Sequence, residues 1–379
     1  MLTRRFRLGT YFGIGLFVHW TFGLLLAWVA WYVLSNGGDW WNVAEQIGLM
    51  LCVFLCVTLH EYGHALAARA FGISTRDITL LPIGGVAMLE RIPRQPIQEL
   101  IIAIAGPAVN VVIAFLVFVG LVATGTRWEG FDVENFWPII FWLNLYLVIF
   151  NMIPAFPMDG GRVFRSLLAM FLPYGKATRW AGRTGWVLAI LIGIAGLYFM
   201  QDVRIVLLAM FVLWAGTMEV QQVMWRERVL GMRVGDVMQT RFLSIDQNMS
   251  IEEVLRETLN ESQREWPVVR DGLYRGMLQG KTLAEAASIG KLDLLASSLH
   301  LADIVPLWPE ESLEQVAPRG RKFRILPIVD HSYHIVGLLD LDTLASRVEM
   351  RRSLPMSSKM ENSDVADPFV TESTVSFHS

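Results

Sequence analysis

The stretch TLHEYGHALAARA, residues 58–70, places two histidines and a glutamate inside an otherwise apolar run. Residues four apart on an α-helix lie on one face about a turn apart, so His60 and His64 can bind one metal ion together. Glu61 is the neighbour on that face, and HExxH is the recognised helical zinc-binding spacing. The alternative is that both histidines hydrogen-bond to neighbouring helices while Glu61 stays protonated. Ionisable groups in a lipid-spanning helix are costly unless paired, which favours a functional site.

The composition around this cluster is that of a membrane protein. Hydrophobic residues make up 54% and charged residues 18% of the 379 residues, and the mean hydropathy is +0.43. A helix needs about 20 apolar residues to cross the hydrocarbon core. The segments that meet this length are 9–34, 46–71, 98–124, 136–156, 180–200 and 203–225. We therefore predict a polytopic α-helical protein with about six spans in the lipid bilayer. The net charge of −3 gives no indication of nucleic-acid binding.

Basic residues orient the predicted spans, because Lys and Arg favour the cytoplasmic side. They precede the first span and lie between the second and third and between the fourth and fifth: Arg4, Arg5, Arg7, Arg69, Arg76, Arg91, Arg94, Arg162, Arg165, Lys176 and Arg179. The alternate loops are mainly acidic and carry tryptophans. This distribution predicts a multi-pass protein of the plasma membrane with both termini in the cytoplasm.

A second motif, NMIPAFPMDGGR at 151–162, lies at the cytoplasmic end of the fourth predicted span. Pro154 and Pro157 interrupt the helix there, because proline lacks a backbone donor and clashes with the preceding turn. Asp159 can then turn inward as a third ligand, and catalytic zinc takes three protein ligands and one open position. The alternative is that Asp159 caps a helix that begins near Arg162. Its location on the same predicted membrane side as HExxH favours the ligand.

The two motifs together resemble those of the site-two protease family of intramembrane zinc metallopeptidases. IGLFVHWTF at 14–22 and IAGPAVN at 104–110 are also similar to that family, and the resemblance covers about residues 10–225. It implies one zinc ion per chain, with the site residues His60, His64 and Asp159 as ligands and Glu61 as catalytic base. It also implies that Asn110 and Asn151 lie near the active site, although buried amides also tie membrane helices together.

The implied function is cleavage of a peptide bond in the transmembrane segment of a membrane-anchored regulatory protein, that is, regulated intramembrane proteolysis. The stretch LPIGGVAM at 81–88 predicts a hairpin at Gly84 and Gly85, which could capture an unwound substrate by strand addition; an ordinary glycine turn is the alternative. Two rival functions are an inactive protease-like scaffold and a CBS-bearing membrane transporter. A scaffold need not keep all four groups, and a transporter usually has broken helices in matching halves.

The sequence after Trp225 is that of a soluble α/β module. Residues 234–287 and 301–346 are two copies of one unit, and they resemble the tandem CBS domains of one branch of the family. The resemblance implies binding of adenine nucleotides and a homodimer formed through the module. The usual ribose-contacting pattern, Ser or Thr followed three residues later by Asp, is replaced by Gln279 with Thr282 and by Asp340 with Thr343, so we expect weak or no ATP binding.

The predicted domain boundaries follow from this change in composition. Residues 1–228 are the transmembrane metalloprotease domain, and 229–350 are the tandem CBS-like cytoplasmic module. The remaining stretch, 351–379, is rich in Ser, Met and Asp with little apolar periodicity, which predicts a disordered tail.

Overall fold

The structure is a computed structural model that describes residues 5–82, 84–89, 93, 95–125, 135–259, 261, 263–316 and 323–353. The chain divides into two compact units, Met1–Trp225 and Arg226–Ser379. Most of the predicted disordered tail, 354–379, lies outside the described residues, and 351–353 end the last helix.

A four-stranded sheet occupies the place where the sequence predicts the start of the first span. Its strands, hydrogen-bonded in chain order, are β1 (Arg5–Tyr11), β2 (Ile14–His19), β3 (Thr75–Leu81) and β4 (Gly84–Leu89). Phe12 and Gly13 join β1 to β2 with φ values of 52° and 78°, as a two-residue type I′ hairpin requires. The prediction of one helix over 9–34 is therefore wrong for 9–19, because a short apolar run does not distinguish a strand from a helix.

The described residues of the first unit also form seven helices. They are α1 (Thr21–Ser35), α2 (Trp40–Ala70), α3 (Pro96–Ala123), α4 (Phe136–Asn151), α5 (Asp159–Ala169), α6 (Tyr174–Tyr198) and α7 (Val203–Val229). Among the described residues, α2, α3, α6 and α7 are long and apolar enough to cross a membrane, which confirms the predicted fold class. Helices α1 and α4 have 15 and 16 residues, about 22–24 Å at 1.5 Å per residue. The predicted number of six spans stays a prediction.

Local chemistry explains where these helices begin and end. Asp39 caps α2 by accepting from the backbone N–H groups of Trp41 and Asn42, both at 2.9 Å, so this helix begins earlier than the predicted span. Pro96 opens α3, a position where the missing backbone donor costs nothing. Helix α4 ends at Asn151, five residues before the predicted end at 156, because two prolines follow.

Helices α2 and α3 are in close contact at Gly63. A Cβ atom at this position would lie 2.6 Å from the backbone oxygen of Ala105. Only glycine allows so close an approach of two helix backbones. The HExxH segment of α2 is thereby packed directly against the IAGPAVN segment of α3.

The second unit repeats one arrangement of strands and helices. Its elements are β5 (Ile245–Asp246), α8 (Ile251–Thr258), β6 (Glu265–Arg270), β7 (Leu273–Gln279), α9 (Gly280–Ser288), α10 (Leu313–Val316), β8 (Ile325–Val329), β9 (Ile335–Asp340) and α11 (Leu344–Ser353). The pairs β6–β7 and β8–β9 are both antiparallel, and a helix follows each. Two repeats of one hairpin-and-helix unit are thus present, as the sequence predicts. Helix α10 covers Leu313–Val316, and residues 317–322 lie outside the described residues.

Candidate active site

Helix α2 carries the two histidines of the HExxH motif on one buried face. His60 is 6% exposed and His64 is 7% exposed. Their Nε2 atoms are 3.0 Å apart, and the two rings meet edge to face with centroids separated by 4.7 Å. One turn of helix thus presents two imidazole nitrogens to a single point.

The segment between α4 and α5 brings Asp159 to the same point. Asp159 is the first residue of α5 and is 6% exposed. Its Oδ2 atom lies 3.1 Å from Nε2 of His60 and 3.2 Å from Nε2 of His64. Met158 is the N-cap residue of α5, so Asp159 does not have the capping role that was the alternative. Gly160 lets the segment fold back on itself, since a Cβ there would lie 2.3 Å from the oxygen of Ile153.

Helix α3 fixes the tautomers of both histidines. Nδ1 of His60 is 2.5 Å from Oδ1 of Asn110, and Nδ1 of His64 is 2.7 Å from the backbone oxygen of Ile102. Amide and carbonyl oxygens only accept hydrogen bonds, so both Nδ1 atoms carry the proton. In the neutral rings both Nε2 lone pairs therefore face the carboxylate of Asp159. Such a second hydrogen bond is typical of metal-binding histidines.

The three side chains fit a zinc ion. Their nearest donor atoms are 3.0–3.2 Å apart, close to the roughly 3.3 Å that separates ligand atoms around a tetrahedral zinc with bonds of about 2.0–2.1 Å. Within the described part of the chain, His60, His64 and Asp159 are the one group of three such residues that could hold a metal. Three electron-pair donors facing one point would repel one another without a cation between them.

Gly106 leaves the space beside these nitrogens open. A Cβ atom at this position would lie 2.2 Å from Nε2 of His64 and 2.7 Å from Nε2 of His60. Any side chain here would occupy the place to which both lone pairs point. The glycine of IAGPAVN therefore keeps the space beside both Nε2 atoms open, and the sequence analysis used it only as part of a resemblance.

Glu61 lies beside the β3–β4 hairpin. A Cβ on Gly85 would be 2.6 Å from Cγ of Glu61 and 3.3 Å from its Oε1 atom. Among the described residues, the half-buried Glu61 side chain has no hydrogen bond or ion pair. The predicted hairpin over 81–88 is present, with Leu81 paired to Gly84. The carboxylate is thus adjacent to the edge strand of the sheet, and no side chain of the described residues hydrogen-bonds to it.

Asn144 is a member of the cluster that the sequence analysis missed. Nδ2 of Asn110 donates to Oδ1 of Asn144 at 2.7 Å, and Asn144 donates to the oxygen of Ile140 at 2.8 Å and to Sγ of Cys56 at 3.4 Å. An asparagine in the middle of the apolar helix FWLNLYLV was the available signal. Asn151, in contrast, is half-buried at the end of α4 and has no hydrogen bond to the cluster among the described residues.

The second unit has a cleft of about 550 Å³ with charges of both signs. Its charged lining residues are Arg241, Arg264, Arg324, Glu261, Glu265, Asp340 and Asp342. Burial raises the pKa of Glu265. At the position where the ribose-contacting pattern departs from the usual one, Thr343 donates to Asp340 at 3.0 Å. The cleft thus presents three arginines and four acids, and weak or no ATP binding stays a prediction.

Comparisons with known proteins identify the family to which the chain belongs. The sequence model described as peptidase family M50 matches residues 48–131 and 126–193, and the CBS domain model matches 234–288. A zinc metalloprotease of Methanocaldococcus jannaschii is 34% identical over 276 residues, which are 72% of this chain and 77% of the relative. Rip3 of Mycobacterium tuberculosis, also named as a zinc metalloprotease, is 27% identical over 91% of this chain and 93% of its own length.

A solved structure is similar to the membrane part. It is a site-2 protease from Methanocaldococcus jannaschii, with 35% identity, coverage of 57% of this chain and 95% of that chain, and a TM-score of 0.43. The match to the peptidase M50 model and the 34% identity to the metalloprotease of Methanocaldococcus jannaschii confirm the resemblance inferred from HEYGH and NMIPAFPMDGG, and with it the predicted enzyme class. The chain belongs to peptidase family M50, the site-two protease family of membrane zinc metalloproteases, and carries CBS domains after its membrane part.

Proposed function

We propose that this metalloprotease cleaves a peptide bond in the transmembrane segment of a membrane-anchored regulatory protein. In this proposal His60, His64 and Asp159 bind one zinc ion per chain, and Glu61 is the catalytic base. The observation that carries it is the convergence of two Nε2 atoms and one carboxylate oxygen within 3.0–3.2 Å of one another. Their burial in a unit made of apolar helices supports a substrate that is itself in the membrane.

Each residue of the cluster has a defined task. Zinc in such a site, when bound, activates a water and polarises the scissile carbonyl. Glu61 accepts a proton from the attacking water and passes it to the leaving amide nitrogen. Asn110 keeps the proton of His60 on Nδ1, and Ile102 does the same for His64 through its backbone oxygen. Asn144 supports Asn110 in turn.

The substrate must unwind before it can be cleaved, because the carbonyl of a helical peptide bond is already hydrogen-bonded. Strand β4 is at the edge of the four-stranded sheet, and its second residue, Gly85, lies next to Glu61. An edge strand offers free backbone donors and acceptors to an extended peptide. Strand addition to β4 would hold the unwound segment beside the catalytic carboxylate, which supports the hairpin as the substrate-binding element.

Topology determines where the cut falls. With both termini in the cytoplasm and the protein in the plasma membrane, α2 runs inward and ends at Ala70. His60 precedes that end by ten residues, or about 15 Å at 1.5 Å per residue. Cleavage then occurs in the inner half of the substrate's span.

The cytoplasmic module, 229–350, has a regulatory task in this proposal. The four groups assigned to the chemistry all belong to the unit Met1–Trp225. The module would therefore influence the rate or the choice of substrate, through a ligand that binds two of its conformations unequally. The CBS resemblance implies an adenine nucleotide as the ligand class, with weak or no binding of ATP itself, and a second copy of the module as the partner. Calorimetry with ATP and with AMP tests nucleotide binding. Sedimentation equilibrium of the purified chain tests dimer formation.

The test of the catalytic assignment compares two variants with the wild type. Glu61→Gln should keep zinc and abolish cleavage of a membrane-anchored substrate, because it removes only the proton acceptor. Asp159→Ala should lose zinc and activity together, because two histidines from one helix bind the metal poorly. Zinc loss in a folded Glu61→Gln protein would contradict the assignment of Glu61. Wild-type zinc and cleavage in Asp159→Ala would contradict the ligand set.

A further inference from the structure

One face of α7 lies against the segment that presents Asp159. Val212, Gly216 and Glu219 follow one another at spacings of four and three residues, so they form a single stripe along the helix. We call these three residues the α7 stripe. Each of them contacts a different part of segment 155–162, which runs from the loop after α4 into the first turn of α5.

Val212 and Gly216 of the α7 stripe pack on the loop before Asp159. Val212 shares a buried apolar cluster with Ala155 and Met158, the residue directly before the aspartate. At Gly216 a Cβ atom would lie 2.6 Å from the backbone oxygen of Phe156. Helix α7 therefore lies directly against the backbone of this loop, with no room for a side chain at residue 216.

Glu219, the last residue of the α7 stripe, forms an ion pair with α5. Nε of Arg162 donates to Oε1 of Glu219 at 3.0 Å, and the side chains are 40% and 18% exposed. Arg162 follows Asp159 by three residues on α5, and side chains at that spacing are neighbours on a helix surface. The guanidinium therefore has two carboxylates within its range, that of Glu219 and that of Asp159.

A second ion pair on α5 provides a comparison. Nε of Arg165 donates to Oε1 of Glu99 on α3 at 2.8 Å, and both side chains are almost fully buried. This pair ties α5 to the same helix that orients His60 and His64. Helix α5 is thus paired with α3 by a buried ion pair, whereas the Arg162–Glu219 pair with α7 is more exposed.

We propose that Glu219 is a positioning residue for the third metal ligand. It holds the Arg162 guanidinium on α7 and so prevents that cation from pairing with Asp159, whose carboxylate stays directed at the two histidines. This inference rests on the proposed role of Asp159 as a ligand. Without Glu219, Arg162 and the metal compete for one carboxylate, so loss of Glu219 weakens metal binding even though Glu219 does not touch the site.

The test is the zinc affinity of the purified full-length protein, measured in detergent by competition with a chromogenic chelator. Glu219→Gln should raise the Kd for Zn²⁺ about tenfold, the lower end of the range for residues that support metal ligands indirectly. The double variant Arg162→Gln/Glu219→Gln should return to within about threefold of the wild type, because the competing cation is gone. Arg162→Gln alone should also stay within about threefold.

Asp202→Asn is the matched control. It also replaces an acid that pairs with an arginine, Arg204, but at the other end of α7, next to its first residue. We expect wild-type zinc affinity in this variant. The thermal unfolding of every variant is recorded alongside, so that a folding defect of Glu219→Gln is recognised. In that case the zinc affinities of Arg162→Gln and of the double variant decide the question.

The outcomes separate this inference from the proposed function. Wild-type zinc affinity in folded Glu219→Gln overturns the positioning role. A double variant that binds zinc as weakly as Glu219→Gln also overturns it, because Glu219 would then act only by holding α7 against α5. If Asp159→Ala binds zinc as tightly as the wild type, the ligand assignment itself fails. If Asp159→Ala loses zinc and Glu219→Gln does not, the ligand assignment stands and the role of Glu219 is withdrawn.

Discussion

Replacing Gly106 by alanine should abolish zinc binding while α3 stays folded. The added methyl carbon would lie 2.2 Å from Nε2 of His64 and 2.7 Å from Nε2 of His60. Carbon and nitrogen atoms approach to about 3.5 Å in ordinary contact. The new atom would thus overlap the two nitrogens by about 1.3 and 0.8 Å, and these are the two atoms that would bind the metal.

The histidines cannot avoid this overlap cheaply. His60 is held through Nδ1 by Asn110 and His64 through Nδ1 by Ile102, and both partners belong to α3 itself. A ring that moves away from Gly106 must break its hydrogen bond. Metal–ligand distances tolerate deviations of only about 0.2 Å, so shifts near 1 Å remove the ligands. We expect the Kd for Zn²⁺ to rise at least about 100-fold, or about 2.8 kcal/mol.

Two other glycines provide controls for the zinc titration. Gly120 is on the same helix with no atom within 4 Å of an added Cβ, and alanine in a helix interior is better than glycine by about 0.5–1 kcal/mol. Gly120→Ala should therefore bind zinc normally and unfold no more easily. Gly63→Ala would meet the oxygen of Ala105 at 2.6 Å, which disturbs helix packing without touching the nitrogens. Wild-type zinc affinity in a folded Gly106→Ala protein would refute the geometry of the site.

Three further predictions concern the substrate, the topology and the module. Gly85→Ala places a Cβ 2.6 Å from Cγ of Glu61, so cleavage should fall about tenfold or more at unchanged zinc content; an unaffected rate would separate the hairpin from catalysis. A cysteine introduced at residue 230 should be labelled only by membrane-permeant reagents in intact cells, and labelling from outside would reverse the topology. Removal of 230–379 should leave zinc content intact and change the cleavage rate or substrate choice; unchanged cleavage of every substrate would exclude regulation by the module.

The convergence of His60, His64 and Asp159 could be predicted because its chemistry is local. His60 and His64 are one turn apart in sequence, and prolines and glycines around Asp159 indicate a break in a helix. The strands over 5–19 could not be distinguished from a helix, since their apolar residues satisfy either period. Asn144 and Glu219 were missed for a different reason. Their roles depend on which helix faces which, and a single sequence contains no record of contacts between distant helices.

The role of α3 shows how far the site depends on such contacts. Ile102, Gly106 and Asn110 are four residues apart, so a carbonyl oxygen, an open space and an amide oxygen follow one another along one face of this helix. This spacing matches the four residues between His60 and His64 on α2. The outer two positions of α3 orient the imidazoles, and the middle one leaves room for the ion between them. HExxH supplies the donors, but the matching repeat on α3 makes both donors point at one place, and an HExxH helix packed against an ordinary apolar face would have neither the tautomers nor the space.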